Sequence, residues 1–95
     1  MSEIRQKENE GKGMFYIEHD GRIVAELTYT KQDNGILTLD HTETDPEMKG
    51  QGLAGKLVKH SVEFARQNNL KIDPLCEYAS AQFERHEEYQ EVQAK

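Results

Sequence analysis

The sequence predicts a small α+β fold, in which one mixed, mostly antiparallel sheet carries a main helix and a short C-terminal helix. Hairpin-type dipeptides occur at Asp20-Gly21 and Asn34-Gly35, and they separate runs of alternating apolar residues. A helical period then begins at Gly52 and is followed by another short apolar run. Because 95 residues suit one domain of ordinary size, we expect residues 1–95 to form a single domain.

The first half of the chain is predicted to be an antiparallel meander with strands at residues 14–18, 22–30 and 36–42. Regular alternation places Ile23, Ala25, Leu27 and Tyr29 on one face of the middle strand and Val24, Glu26 and Thr28 on the other. In the next strand it places Leu37, Leu39 and His41 on a shared face. The polar residues 8–13 are predicted to form a loop.

The second half changes period after Asp45-Pro46, because proline lacks an amide donor and restricts the residue before it. Apolar and small residues at helical spacing predict a helix from Gly52 to about Asn68, with one buried stripe: Leu53, Leu57, Val58, Ser61, Val62 and Ala65. Residues 70–75 are predicted to be a strand broken by Pro74, residues 78–85 a second helix, and residues 84–91 a solvated tail. The strand, helix, strand order predicts a parallel pair within the sheet.

Composition limits the possible functions. The net charge is −6, which disfavours nucleic acid as a partner, and no apolar run is long enough to span a membrane. Cys76 is the single cysteine, so an internal disulfide is excluded, and the four histidines lack metal-site spacing. We therefore expect a cytoplasmic protein with no metal site and no nucleic-acid or membrane partner.

The glycine-rich segment 49–56 is the most informative stretch of the sequence. Its three glycines match a dinucleotide-binding pattern, although they do not directly follow a strand, and Gly55-Lys56 matches most of a P-loop, although Leu57 replaces the hydroxyl residue. Small residues before a helix allow close approach of a phosphate to free amides. Lys49, Lys56 and Lys59 occur with no acidic residue between positions 49 and 62, so the segment predicts an anion site.

Three separated segments also carry a resemblance to a known family. Lys49-Gly50-Gln51-Gly52-Leu53-Ala54, preceded by Thr44-Asp45-Pro46, resembles the signature of the GNAT superfamily of acetyl-CoA-dependent N-acetyltransferases, with Lys49 replacing the usual Gln or Arg. With Leu39-Asp40-His41-Thr42 and Pro74-Leu75-Cys76-Glu77-Tyr78-Ala79, nearly the whole chain resembles the small YjdJ-type acetyltransferase domain family. The resemblance implies a minimal GNAT-like fold with acetyl-CoA as co-substrate.

The same resemblance implies positions for the cofactor. The backbone amides of the glycine segment would hold the CoA pyrophosphate, with lysine charge beside them, and backbone groups of the preceding strand would contact the pantetheine arm. The implied cofactor-binding residues are Thr42, Thr44, Lys49, Gln51, Gly52, Leu53, Ala54, Gly55 and Lys56. The chain lacks the N-terminal helices typical of the superfamily, so we expect an open acceptor side.

Cys76 and His41 are the candidate catalytic pair. Cys76 lies just before a predicted helix start, where the helix dipole favours a negative charge, and its thiol could accept the acetyl group as a thioester. His41 could act as base, with Asp40 and Glu43 as neighbouring carboxylates, and a bulge would change its direction. The bland alternatives are a small buried cysteine and a hydrogen-bonded core histidine.

The position at which many GNAT enzymes have a proton-donating tyrosine holds Phe83, which leaves Tyr78 or Tyr89 to supply a hydroxyl. We therefore expect an acetyltransferase that moves an acetyl group from acetyl-CoA to an amine, on a small molecule or a protein. A non-catalytic acetyl-CoA binding or sensing module with a protein partner is the alternative. Either form would be a monomer or a weak dimer.

Overall fold

The computed structural model describes residues 3–94, which form a five-stranded sheet in the order β1-β2-β3-β4-β5. The strands are β1 (Ile4–Asn9), β2 (Lys12–His19), β3 (Arg22–Lys31), β4 (Ile36–Thr44) and β5 (Lys71–Asp73). The helices are α1 (Leu53–Gln67) and α2 (Glu77–Arg85), and short 3₁₀ helices span Pro46–Met48 and Glu87–Val92. Neighbouring strands are antiparallel except β4 and β5, which are parallel, so the predicted α+β class and mixed sheet are confirmed.

The predicted loop at residues 8–13 is wrong. β1 and β2 form a hairpin whose turn, Glu10-Gly11, has positive φ angles of 53° and 81°. β1 is an exposed edge strand, and Ile4 is the one apolar side chain that it packs against the core, so it carries no apolar alternation. Gln6 Nε2 donates to the Tyr29 hydroxyl at 2.7 Å, and that hydroxyl donates to Glu8 Oε1 at 2.8 Å. Burial raises the pKa of Tyr29 to about 12, so this hydroxyl keeps its proton.

A first β-bulge corrects the predicted faces at the start of β3. Ile17 lies opposite Ala25 and Glu18 lies opposite Ile23, so Val24 is an extra residue in the ladder. Val24 is therefore buried, and Ile23 is 38% exposed, the reverse of the predicted alternation. Ala25, Leu27 and Tyr29 share the core face as predicted.

A second bulge redirects His41. Thr28 lies opposite His41 while Tyr29 lies opposite Leu39, which makes Asp40 the extra residue in β4. Leu39 is buried and His41 is exposed, so the prediction that the two share a face is wrong. Thr42 takes the core face instead, opposite the buried Leu27.

Helix α1 supplies the largest packing surface for the sheet. The six residues predicted for its buried stripe are the six that are buried. Phe64 and His60 contact the Phe15 ring, with centroids 5.3 Å and 4.9 Å away, and Phe15 packs against Tyr29 at 5.0 Å. This aromatic cluster joins α1 to the middle of the sheet.

The C-terminal segment differs from the predicted solvated tail, because Tyr89 and Val92 are buried against the core. Arg66 of α1 holds the segment through the Glu88 carbonyl and the Glu91 carboxylate, both at 3.2 Å. Gln93 forms an isolated parallel bridge to Ile72, and this bridge covers the free side of β5. Within residues 3–94, no helix has both the length and the apolar character that a bilayer crossing requires.

Gly13→Ala should destabilise the fold, because an added Cβ would lie 2.5 Å from the Lys7 carbonyl oxygen and 2.6 Å from the Tyr29 hydroxyl. Overpacking of this kind costs about 1–3 kcal/mol, measurable as a lower midpoint of urea unfolding. An unchanged midpoint would show that β1 can shift without cost.

Lowering the pH should weaken the fold through His60. Burial lowers the pKa of His60 below its usual 6.5, with Glu63 opposing part of the effect. The unfolded chain therefore takes up this proton at higher pH than the folded chain, so stability is present above about pH 6.5 and is lost as the pH falls below it. The free energy of unfolding, measured with urea, should fall less steeply with decreasing pH for His60→Gln than for the wild type below about pH 6.5. At higher pH the two proteins should show the same dependence of this free energy on pH. Equal slopes in both ranges would contradict this assignment.

Candidate functional site

A cavity of about 600 Å³ opens where β4 and β5 diverge. The two strands pair only through residues 36–38 and 71–73, and the next contact is the Cys76 amide donating to the Leu39 carbonyl at 2.9 Å. Beyond Leu39, β4 continues to Thr44 beside β3 alone. The lining residues are His41, Thr42, Glu43, Thr44, Met48, Lys49, Gly50, Gly52, Leu53, Ala54 and Tyr78.

The free edge of β4 presents backbone groups to this cavity. The Asp45 amide donates to the Val24 carbonyl at 2.8 Å, so the backbone at this position points toward β3. Because backbone direction alternates along a strand, the groups of Thr42 and Thr44 point the other way, toward the cavity. The bulge at Asp40 sets this phase, since the Leu39 carbonyl also points away from β3.

The glycine loop and the start of α1 form the opposite wall. Gly50 and Gly52 have φ angles of 88° and 73°, which favour glycine. Gly52 is the N-cap of α1, and the first helical bond runs from the Lys56 amide to the Gly52 carbonyl at 3.1 Å. The amides of Leu53, Ala54 and Gly55 precede that bond and lack intrahelical acceptors.

The charge at this wall suits an anion. The first turn of α1 has no acidic residue, and Lys49 and Lys56 lie exposed on either side of the helix start. Free amides, the helix dipole and two lysines together fit the negative charge of a pyrophosphate. Of the predicted cofactor residues, Thr42, Thr44, Lys49, Gly52, Leu53 and Ala54 line the cavity, and Gln51, Gly55 and Lys56 flank it.

Cys76 is brought next to Thr42 rather than to His41. It is the N-cap residue of α2, half-buried, with its Sγ 3.5 Å from Thr42 Oγ1. His41 lies in the cavity lining, but its side chain is on the other face of the sheet from that of Thr42, because neighbouring residues in a strand point to opposite faces. The catalytic roles of Cys76 and His41 stay predictions.

Tyr78, predicted from the sequence only as one of two sources of a hydroxyl, lines the cavity. It lies in the first turn of α2 and is 37% exposed, and a Cβ added at Gly55 would be 3.3 Å from its hydroxyl. Phe83 is buried in the core and packs against Tyr89, away from the cavity lining. Burial, reinforced by the Glu88 charge, raises the pKa of Tyr89 above its usual value. The sequence signal for Tyr78 was its position two residues after Cys76, at the start of a predicted helix.

Comparison with known proteins identifies the family of this chain. Residues 14–92 match the family model described as GCN5-related N-acetyl-transferase. The chain belongs to the GCN5-related N-acetyltransferase family. It is an N-acetyltransferase domain whose co-substrate is acetyl-CoA.

Solved structures agree with the family assignment. A structure from Staphylococcus aureus, described as a "GCN5-like putative N-acetyltransferase", is 41% identical, with a TM-score of 0.73 over 99% of this chain and 91% of that one. A "putative acyl-CoA N-acyltransferase" from Klebsiella pneumoniae is 22% identical, with a TM-score of 0.58 over 66% of this chain and 45% of that one. A GNAT-family acetyltransferase from Staphylococcus aureus Mu50 is 14% identical, with a TM-score of 0.58 over 87% and 52%. The latter two share the fold. Among curated proteins, none matches this chain with significance.

Gly52→Ala should weaken acetyl-CoA binding, since a methyl group here would stand in the space through which a phosphate reaches the amides. Gly35→Ala is a matched control: its φ is 83°, and at both glycines an added Cβ meets no atom within 4 Å. Both variants should lose about 1–2 kcal/mol of folding stability from backbone strain. Calorimetric titration should show a dissociation constant raised about tenfold or more for Gly52→Ala alone. Equal affinity in the two variants would refute the role of the loop.

Proposed function

We propose that this domain, residues 1–95, transfers the acetyl group of acetyl-CoA to an amine through a thioester on Cys76. The observation that carries the proposal is the cavity in which the free edge of β4 faces the N-terminus of α1. Cys76 is not among its lining residues and adjoins it through Thr42, which is. One wall offers amides and lysines for phosphate, and the other offers strand backbone for an extended amide-containing arm. These two chemistries match the two halves of acetyl-CoA.

In this proposal the glycine loop holds the pyrophosphate through the amides from Gln51 to Gly55, with Lys49 and Lys56 supplying positive charge. Support comes from the free amides at the start of α1 and the lack of acidic residues in its first turn. The backbone of Thr42 and Thr44 contacts the pantetheine arm, because their polar groups face the cavity and are not used in the β3–β4 ladder.

The chemical step uses Cys76 as nucleophile. Its sulfur attacks the acetyl carbonyl, a carbon–sulfur bond forms at Sγ, and the bond to the CoA sulfur breaks. CoA leaves as a thiol after its sulfur takes up the proton that Cys76 gives up. The Thr42 hydroxyl, 3.5 Å from Sγ, orients the cysteine. An amine then attacks the Cys76 thioester, the carbon–nitrogen bond forms as the bond to Sγ breaks, and the proton that the amine loses restores the Cys76 thiol.

His41 and Tyr78 flank this reaction in separate roles. His41 lines the cavity from the face opposite Cys76, a position suited to taking the proton of the incoming amine rather than that of the thiol. Tyr78 lines the cavity, with its hydroxyl near Gly55, where it can donate a hydrogen bond to the departing CoA sulfur without giving up its proton. The acceptor reaches the site from the sheet face that carries His41, whose side chain is exposed.

The remaining partner assignments follow from composition. A net charge of −6 disfavours nucleic acid and anionic membranes as partners, and we infer a cytoplasmic protein that is a monomer or a weak dimer. The amine acceptor is a small molecule or a protein side chain.

Mass spectrometry after incubation with acetyl-CoA tests the thioester. The wild type should show bound acetyl-CoA under native conditions and an acetyl adduct on Cys76 after denaturation. Cys76→Ala should keep the binding and lose both the adduct and transfer to a test amine, because the cavity walls that hold the cofactor are unchanged.

Ser80→Ala is the control, since it removes one polar atom from the same helix one turn further along. It should retain both the adduct and transfer. Transfer at the wild-type rate by Cys76→Ala would overturn the thioester and favour direct attack on acetyl-CoA. A wild type that binds acetyl-CoA but transfers no acetyl group would instead indicate a sensing module.

A further inference from the structure

A surface arginine joins the start of β3 to the segment that enters the glycine loop. Arg22 Nη2 lies 3.1 Å from Asp45 Oδ2 and 3.4 Å from Glu47 Oε2. Both carboxylates belong to the turn between β4 and the loop, more than twenty residues away in sequence. One guanidinium therefore bridges two parts of the chain that meet beside the cavity.

Asp45 is the centre of this turn. Its side chain is 17% exposed, and its Oδ1 accepts from the Glu47 amide at 2.9 Å. Its carbonyl accepts from the Met48 amide at 2.8 Å, and its own amide donates to Val24. Arg22 contacts the second carboxylate oxygen, so it restrains the group that organises the 3₁₀ helix Pro46–Met48.

The turn that Arg22 restrains leads directly into the cavity wall formed by the glycine loop and the start of α1. Met48 ends the turn, Lys49 and Gly50 follow it, and all three line the cavity. Gly50 and Gly52 both have positive φ, and glycine is conformationally permissive. The position of this loop is therefore set by the two elements that flank it. One end is the start of α1, and the other is the turn that Arg22 holds.

Charge acts in the same direction. Asp45 and Glu47 are the last acidic residues before the loop, and the next acidic residue is Glu63. Without Arg22, their two negative charges would lie uncompensated beside a site that we assign to a pyrophosphate. An opposite charge placed on both carboxylates reduces that repulsion.

We propose that Arg22 is a positioning residue for acetyl-CoA: it holds the 45–48 turn and offsets its carboxylates, so that the glycine loop is ready to receive the pyrophosphate. This inference rests on the proposed cofactor assignment. Arg22 touches neither the cavity lining nor the reacting atoms, and it acts through Asp45 and Glu47.

Arg5 provides a matched control. It is also a strand arginine, 58% exposed against 57% for Arg22, and it pairs with a carboxylate at 3.5 Å, that of Glu18. The Arg5 pair joins β1 to β2 and has no link to the loop. Arg5→Ala and Arg22→Ala thus remove the same charge and similar exposed surface. They differ in whether the partner carboxylate lies in the turn that precedes the glycine loop.

The first measurement is calorimetric binding of acetyl-CoA to the full chain. Arg22→Ala should raise the dissociation constant about threefold to tenfold, Arg22→Lys should recover part of that loss, and Arg5→Ala should match the wild type. Thermal midpoints of the two alanine variants should agree within about 4 °C, because exposed ion pairs contribute little to folding.

The second measurement is amide hydrogen exchange in the protein without acetyl-CoA. The Glu47 and Met48 amides, which donate to Asp45, should exchange several times faster in Arg22→Ala than in Arg5→Ala. Weaker binding without faster exchange would overturn positioning and leave charge alone. Equal affinity in both alanine variants would overturn the inference while the cofactor assignment stands. A wild type that fails to bind acetyl-CoA would overturn the cofactor assignment itself, and this inference with it.

Discussion

The separation of β4 from β5 after three paired residues is the constraint on which the rest of the site depends. Pro74 follows β5 directly, and the parallel ladder with β4 ends at Asp73. The chain then returns once, at the Cys76 amide, before α2 begins. An unpaired strand edge is normally a liability in a folded protein. Here it forms one wall of the cavity, opposite the amides at the start of α1.

The bulge at Asp40 determines what that edge offers. Without the extra residue, the alternation of β4 would turn the Thr42 side chain to the exposed face and its backbone groups into the β3 ladder. With it, the Thr42 hydroxyl meets Cys76 and its backbone faces the cavity, while His41 moves to the opposite face. One inserted residue therefore separates the two predicted catalytic side chains and brings a hydroxyl to the cysteine.

Sequence patterns predicted the parts of the fold in which residues nearby in sequence determine whether a side chain is buried. The α1 stripe follows from helical spacing alone, and every predicted position is buried. β1 was missed because its core-facing Gln6 and Glu8 are satisfied by Tyr29, a partner more than twenty residues away. The two bulges, and with them the directions of Ile23 and His41, depend on pairing between strands, which periodicity within one strand cannot show. The glycine loop was predicted because its glycines and lysines lie together in one short segment of the sequence.

The small size of the domain makes α1 serve both the core and the site. Its buried stripe packs on the sheet, and its C-terminal Arg66 holds the Glu87–Val92 helix, so the position of α1 is fixed along its length. The amides at its N-terminus are therefore fixed as well, and only the loop before the helix has conformational freedom. Met48 to Gly52 lies between this rigid helix and a turn restrained by Asp45 and Arg22. The site that we propose for the pyrophosphate is thus preorganised, because its flexible part is a few residues long and is held at both ends.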